Sequence, residues 1–276
     1  MLLSVVIITR NEEANIARTL ASVVDLADEV ILIDSGSTDH TLDVARTFGP
    51  KVKIFEEEWK GFARQKNSAI AKATGDWILS LDADEEVSPL LAREIAEALG
   101  EKKSAPSETP SQTGEKPEQK TVSPQNIAYF TPRKNFFLGR WIRRGGYYPD
   151  RKLRLVRRDV AQFEDRAVHE DIKVSGPVGE LHGALLHHAY PTLSSYIEHM
   201  NRYSSLGAEM AVASGVRVFS FFNIVVRPYA TFLYNYFLRL GFLDGREGLL
   251  LHLYHSVYVS WKYAKIWESS RKEKPS

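Results

Sequence analysis

An α/β fold is what this sequence predicts: a mostly parallel sheet of Rossmann-like type with helices on both faces. Three observations carry that reading. Short apolar runs of strand type alternate with helical patterns over roughly the first hundred residues. The runs are apolar throughout, as strands buried on both faces are. Several end in polar clusters, at Thr9-Arg10-Asn11, Asp34-Ser35-Gly36 and Asp82-Ala83-Asp84, where a buried strand would emerge. In such sheets ligands bind outside the carboxyl ends of the strands.

Taken in order, 2–8 reads as a buried strand. Asn11 can cap the next helix, with Glu12 and Glu13 in its first turn. Ile16, Leu20, Val23 and Val24 then recur at helical spacing. Residues 30–33 form a second strand ending at Asp34, and Asp39 can cap the helix carrying Leu42, Ala45 and Phe48. A strand at 52–55, a helix at 62–73, a strand at 77–81 and a helix at 90–99 follow, the last with Ser88-Pro89 as its start. Residues 101–125 break the pattern. Rich in Lys, Glu, Ser, Pro, Gln and Thr, they hold too little apolar surface to offset their ordering entropy and are expected to be disordered. A strand resumes at 127–131. From Thr192 the character is helical, with Tyr196, Met200, Tyr203, Leu206 and Met210 in register. The expected division is therefore 1–190, one α/β domain, and 191–276, a helical region.

Composition narrows the function. The chain has 276 residues, a net charge of +1 and no cysteine, which excludes a disulfide framework and thiolate metal sites. The near balance of charge gives no global pull toward nucleic acid, and no nucleic-acid-binding signature is present. The amino terminus is not a secretory signal, since 2–8 is too short and lacks a basic flank. Residues 133–158 carry ten Lys or Arg against one acid, Asp150, interleaved with Phe136, Phe137, Trp141, Tyr147 and Tyr148. So one-sided a stretch suits an anionic substrate. Residues 216–240 and 249–267 are aromatic and apolar without forming a standard spanning helix, because Arg227-Pro228 interrupts one and His252, His255 and Ser256 dilute the other. They are expected to lie in a membrane interface, the alternative being a helical subdomain against the sheet.

Asp82 and Asp84 flank a small residue and so fall on one side of an extended chain. Paired carboxylates suit Mg²⁺ or Mn²⁺, and Mg²⁺ is commonly shared between one or two carboxylates and substrate phosphates. The bland alternative is a solvated strand end, and an isolated D-x-D is a weak motif. His182, His187 and His188 are weaker metal candidates, since a diphosphate site needs mainly oxygen donors.

Together, Thr9-Arg10-Asn11-Glu12, Asp34-Ser35-Gly36-Ser37-Thr38-Asp39 and Asp82-Ala83-Asp84 resemble the family 2 glycosyltransferases of the GT-A fold. Gly145 to Arg151, Val168-His169-Glu170 and Gly241 to Gly245 are similar to the bacterial group that adds a sugar, often glucose, to the inner core of lipopolysaccharide. The resemblance implies that Thr9, Asn11, Glu12, Asp34, Lys66 and Asp82 bind the nucleotide-sugar donor. It implies Asp84 as main metal ligand with Asp82 beside it, and Glu170 as catalytic base, with Asp171 and Asp165 in reserve. It also implies an anionic glycolipid acceptor and a peripheral position on the cytoplasmic face of the inner membrane. The chemistry asks for the same parts: a metal for the departing diphosphate, and a base on the acceptor side for one inverting displacement. Competing readings are a polyprenyl-phosphate glycosyltransferase, a non-catalytic sugar-nucleotide-binding module, and a sugar nucleotidyltransferase. The last would need a Gly-rich loop after the first strand, where Thr9 to Glu13 stand instead.

Overall fold

The computed structural model describes residues 1–100, 125–164, 172–216 and 219–272. The expected excursion at 101–125 lies outside the described residues except for Gln125, and so do Asp165, Glu170 and Asp171. The chain divides into two units, one of Met1–Arg133 with Arg151–His187, the other of Lys134–Asp150 with His188–Ser276. The division expected from sequence differs in the short piece 188–190 and in one longer stretch, 134–150, both of which belong with the C-terminal helices. In the longer stretch Phe137 and Ile142 are buried against Tyr196 and Leu251, and that burial decides its place.

The first unit runs β1 (Leu3–Thr9), α1 (Ile16–Ala21), β2 (Glu29–Asp34), α2 (Thr41–Arg46), β3 (Val52–Glu56), α3 (Phe62–Lys72), β4 (Trp77–Asp82), β5 (Glu85–Val87) and α4 (Pro89–Ala98). Then comes β6 (Ala128–Phe137), which continues into the second unit and there pairs with β7 (Arg140–Trp141). The first unit resumes with β8 (Asp150–Arg157), β9 (Val178–Glu180) and β10 (Leu185–Tyr190). Its strands lie in the order β3-β2-β1-β4-β8-β6-β10-β5, with β9 beside β6. The first four are parallel, as expected. From β8 onward the sheet is mixed: β8 runs antiparallel to β4 and β10 antiparallel to β5.

Alternation along the strands builds two cores. Leu3, Val5 and Ile7 of β1 with Val30 and Leu32 of β2 face Ile16, Leu20, Leu91 and Ile95. Val6, Ile31 and Ile33 face the other way, onto Ala63, Ala69 and Ile70 of α3. Both faces being dry explains why these strands are unbroken apolar runs. Ser88 caps α4 as expected, accepting the Leu91 N–H. Asn11 does not cap α1, which begins only at Ile16. Asn11 sits instead in the left-handed region (φ 56°), where its Oδ1 accepts the Thr38 N–H at 2.8 Å.

The second unit holds α5 (Leu193–Ala213), α6 (Arg227–Leu233) and α7 (Gly245–Lys272). Thr192 and Ser195 form a capping box at the start of α5. Two π turns, Phe222–Val226 and Tyr234–Leu238, flank α6. No helix among the described residues is long and apolar enough to cross a membrane.

Candidate active site at the strand ends

Register brings the expected residues together. Thr9 lies opposite Asp34, and Ile8 opposite Asp82, so the carboxyl ends of β2, β1 and β4 are neighbours. Thr9 and Ser35 are buried there, and their hydroxyls have no hydrogen-bond partner among the described residues.

Asp34 is fully buried and engaged in its own turn. One carboxylate oxygen accepts the N–H groups of Gly36 (2.9 Å) and Ser37 (2.8 Å), and the other accepts the Ser37 hydroxyl. That turn is tied back to the end of β1, because the Asn11 N–H donates to Ser37 Oγ at 2.9 Å. The Glu12 N–H donates to Thr41 Oγ1 at 2.7 Å, and its carboxylate accepts from Asn15 Nδ2 at 2.9 Å. Burial pushes the Glu12 carboxyl above its ordinary range, and the negative charges of Asp84, Asp39 and Asp82 add to that rise against the Asn15 hydrogen bond. Asn11, Glu12 and Asp34 therefore build the rim by fixing the backbone of two loops.

Asp82 and Asp84 diverge. Asp82 presents one oxygen to Lys66 Nζ (2.9 Å) and the other to Arg154 Nη2 (2.6 Å). Burial alone would raise its pKa, but the Arg154 and Lys66 charges win and hold the carboxyl well below the ordinary range. Arg154 also donates to Glu85 Oε1 at 2.7 Å, and Arg133 reaches the same oxygen at 3.2 Å. Glu85 and Arg154 are both buried, so this is an internal ion cluster behind the site. Asp84 instead faces His187, with Oδ2 to Nε2 at 3.3 Å. Here too burial would raise the pKa, and the neighbouring imidazole brings it below the ordinary value. The contact follows from pairing, since β10 places His187 opposite Glu85, the residue after Asp84.

The structure thus gathers Thr9, Asn11, Glu12, Asp34, Lys66, Asp82 and Asp84 in one unit. It adds Arg154, Arg133 and Glu85, which sequence reasoning missed, and raises the standing of His187. A lone arginine inside the apolar run Leu153-Arg154-Leu155-Val156 was the signal for the first. A divalent ion with bonds of about 2.1 Å holds two adjacent donors about 3 Å apart. The Asp84 and His187 pair brings a carboxylate and an imidazole to 3.3 Å, and no group of three or more side chains that could hold a metal ion occurs among the described residues. Both oxygens of Asp82 already face cations.

The sequence profile of Glycosyl transferase family 2 matches residues 4–163. The chain is 30% identical over 276 residues to the lipopolysaccharide core biosynthesis glycosyltransferase LpsC of Rhizobium meliloti (strain 1021), covering 96% of this chain and 92% of that one. It is 29% identical over 281 residues to an uncharacterized glycosyltransferase of Rickettsia typhi, covering 99% and 89%. Among solved structures, the mannosyltransferase PcManGT from Pyrobaculum calidifontis in complex with GDP-Man and Mn²⁺ is 15% identical, with 99% of this chain and 76% of that one covered. Its TM-score is 0.49, a distant likeness.

Proposed function

The chain belongs to glycosyl transferase family 2, and we propose that it moves a sugar, with inversion, from a UDP-sugar to a lipid-linked glycan acceptor of the lipopolysaccharide core. Glucose is the sugar we favour. The carrying observation is the divergence of the two acids: Asp82 held between Lys66 and Arg154, Asp84 turned to His187. The similarity to LpsC supports the acceptor class.

Asp84 and His187 would hold Mg²⁺ or Mn²⁺. Bound there, the ion would supply Lewis-acid stabilisation of charge on the departing diphosphate. Lys66 is anchored on Asp82 with its ammonium 5.2 Å from the centre of the Phe163 ring, which fixes a positive charge beside the strand end for donor phosphate or ribose. Thr9 and Ser35 offer hydroxyls to the nucleotide. The incoming acceptor hydroxyl must lose a proton on the face opposite the diphosphate. The family resemblance puts the base on a downstream acidic loop, and on that ground we assign that proton to Glu170.

Two variants and one assay test this. Asp84→Asn should lose Mn²⁺ affinity by calorimetry and at least about 100-fold in acceptor-dependent UDP release, with unchanged melting. Glu170→Gln should keep UDP-sugar affinity and lose turnover by at least about 100-fold. Full transfer by Asp84→Asn, or in excess chelator, overturns the metal assignment. Near wild-type turnover by Glu170→Gln overturns the base, with Asp171→Asn and Asp165→Asn as the next variants. Release of UDP that no lipopolysaccharide core or polyprenyl phosphate stimulates removes the transferase reading.

A further inference from the structure

In the second unit, 221–238 displays an unusual surface. Phe221, Phe222, Val225, Val226, Tyr229, Leu233, Tyr234, Phe237 and Leu238 are all exposed, Leu238 at 75% and Tyr229 at 66%. They fall in adjacent pairs, and the pairs recur every four residues, with Ala230 completing the set. In an α-helix a four-residue repeat drifts by about 40° each time and would wind the stripe around the axis. The two π turns, Phe222–Val226 and Tyr234–Leu238, wind less per residue and take out that drift. The result is one straight apolar stripe, about 25 Å long over the 17 steps between Phe221 and Leu238 at the α-helical rise.

The opposite face is seated on α7. Pro228 lacks an N–H, so the carbonyl four residues before it loses its helical donor. That carbonyl is Ile224 O, and Ser260 Oγ of α7 donates to it at 2.8 Å. Arg227 Nη1 donates to Tyr263 Oη of the same helix. The helix is thus held in one rotational setting, and the stripe faces away from α7.

Charge identifies the occupant. From Val216 to Leu243 there is no Asp or Glu. Arg227 and Arg239, both exposed, flank the stripe. The next acid, Asp244, is buried and accepts the N–H groups of Arg143 and Arg144 at 3.1 and 2.8 Å. A second copy of this chain on the same face would bring like charges together with no acid to neutralise them. An anionic lipid surface offers the complement: headgroups for the arginines and an apolar boundary for Phe, Tyr and Leu. We propose that 221–243 is a bilayer-docking surface, lying in the interface of an anionic membrane with its stripe of exposed Phe, Tyr, Val and Leu inserted.

Flotation itself needs neither donor nor acceptor. The full chain is floated with vesicles of phosphatidylglycerol and phosphatidylethanolamine, and with vesicles of phosphatidylcholine alone. Wild type should float with the anionic vesicles. Phe222→Ser with Leu238→Ser should cut the bound fraction at least about tenfold at unchanged UDP-sugar affinity. Arg239→Gln should weaken binding to anionic vesicles only, with Arg227 left in place because it seats the helix on Tyr263. Hydrogen exchange on the wild type keeps the proposal open to refutation if a variant misfolds: backbone amides of 219–243 should gain protection on anionic vesicles. Wild type that stays at the bottom of the gradient, no gain in protection, or a dimer in light scattering that the Ser variant dissociates would each overturn it. Loss of transfer activity with flotation intact would strike the proposed function and leave the docking surface standing.

Discussion

Asp82 and Asp84 stand two positions apart and would share a side of an extended chain, yet they meet opposite surroundings, because β4 ends at Asp82 and the chain turns at Ala83-Asp84 before β5. The cluster behind Asp82 matters for stability as well as for the site. Arg154 and Glu85 are 6% and 0% exposed, so neither charge has water to fall back on. Arg154→Met should take from Glu85 and Asp82 the cation they share, leaving Arg133 beside Glu85 and Lys66 beside Asp82. The expected loss is about 3 kcal/mol, the usual cost of removing one partner from a buried pair, read from urea unfolding. Arg157→Gln removes an exposed partner of Asp159 and should cost less than about 1 kcal/mol. Equal losses in the two variants would mean that the internal cluster is not a stabilising unit. Asp82 and Asp84 were legible from their spacing. Their division of labour was not, since Arg154 lies 72 positions from Asp82 in the chain.

At the scale of elements, the 143–149 loop and α7 depend on a close approach. Gly145 has φ 66°, and a Cβ there would stand 2.0 Å from His252 Cε1. His252 is 1% exposed, and burial pushes its pKa down to about 4, so the ring packs as a neutral group at pH 7. Gly145→Ala should therefore cost the left-handed backbone strain plus an overpacking cost, about 2–4 kcal/mol together. Gly139→Ala is the matched control: φ is 80°, but nothing lies within 4 Å of its Cβ, so only the backbone cost of about 1–2 kcal/mol applies. Thermal melts of the two variants measure the difference, and equal shifts would show that α7 can move away from the loop.

For the molecule as a whole, buried Glu29 and half-buried Glu57 both contribute to the acid limit. Burial would raise Glu29, but hydrogen bonds from Lys53, Ser4 and Thr74 hold it down to about 2. Lys72 and Lys60 hydrogen bonds hold Glu57 down to about 2, against a smaller effect of burial. A carboxyl depressed by folding adds stability above its unfolded pKa of about 4.3, and that stability is lost as pH falls toward the folded value. The melting temperature should accordingly be flat with respect to these two groups at neutral pH and fall between about pH 5 and 2. Glu29→Gln should flatten that fall and lower stability at pH 7. An unchanged acid profile in Glu29→Gln would remove Glu29 from this account.

The amino-acid sequence by itself determined the alternation of strands and helices in the first hundred residues or so, because burial on both faces forces unbroken apolar runs. It also determined the polar strand ends, and with them Thr9, Asp82 and Asp84, while Lys66, inside α3, came only from the family resemblance. Asn11 read as a helix cap from its type alone, although the backbone uses it as a left-handed corner tied to Thr38. Three things were decided only by the tertiary structure. Strand register set His187 beside Asp84, since β10 reaches β5 from far along the chain. The burial of Phe137 and Ile142 moved 134–150 to the helical unit. Two π turns straightened an apolar stripe whose four-residue period matches neither a strand nor an α-helix. Local pattern encodes which face of an element is dry. Which distant side chain meets it there is a property of pairing, and pairing exists only once the chain has closed on itself.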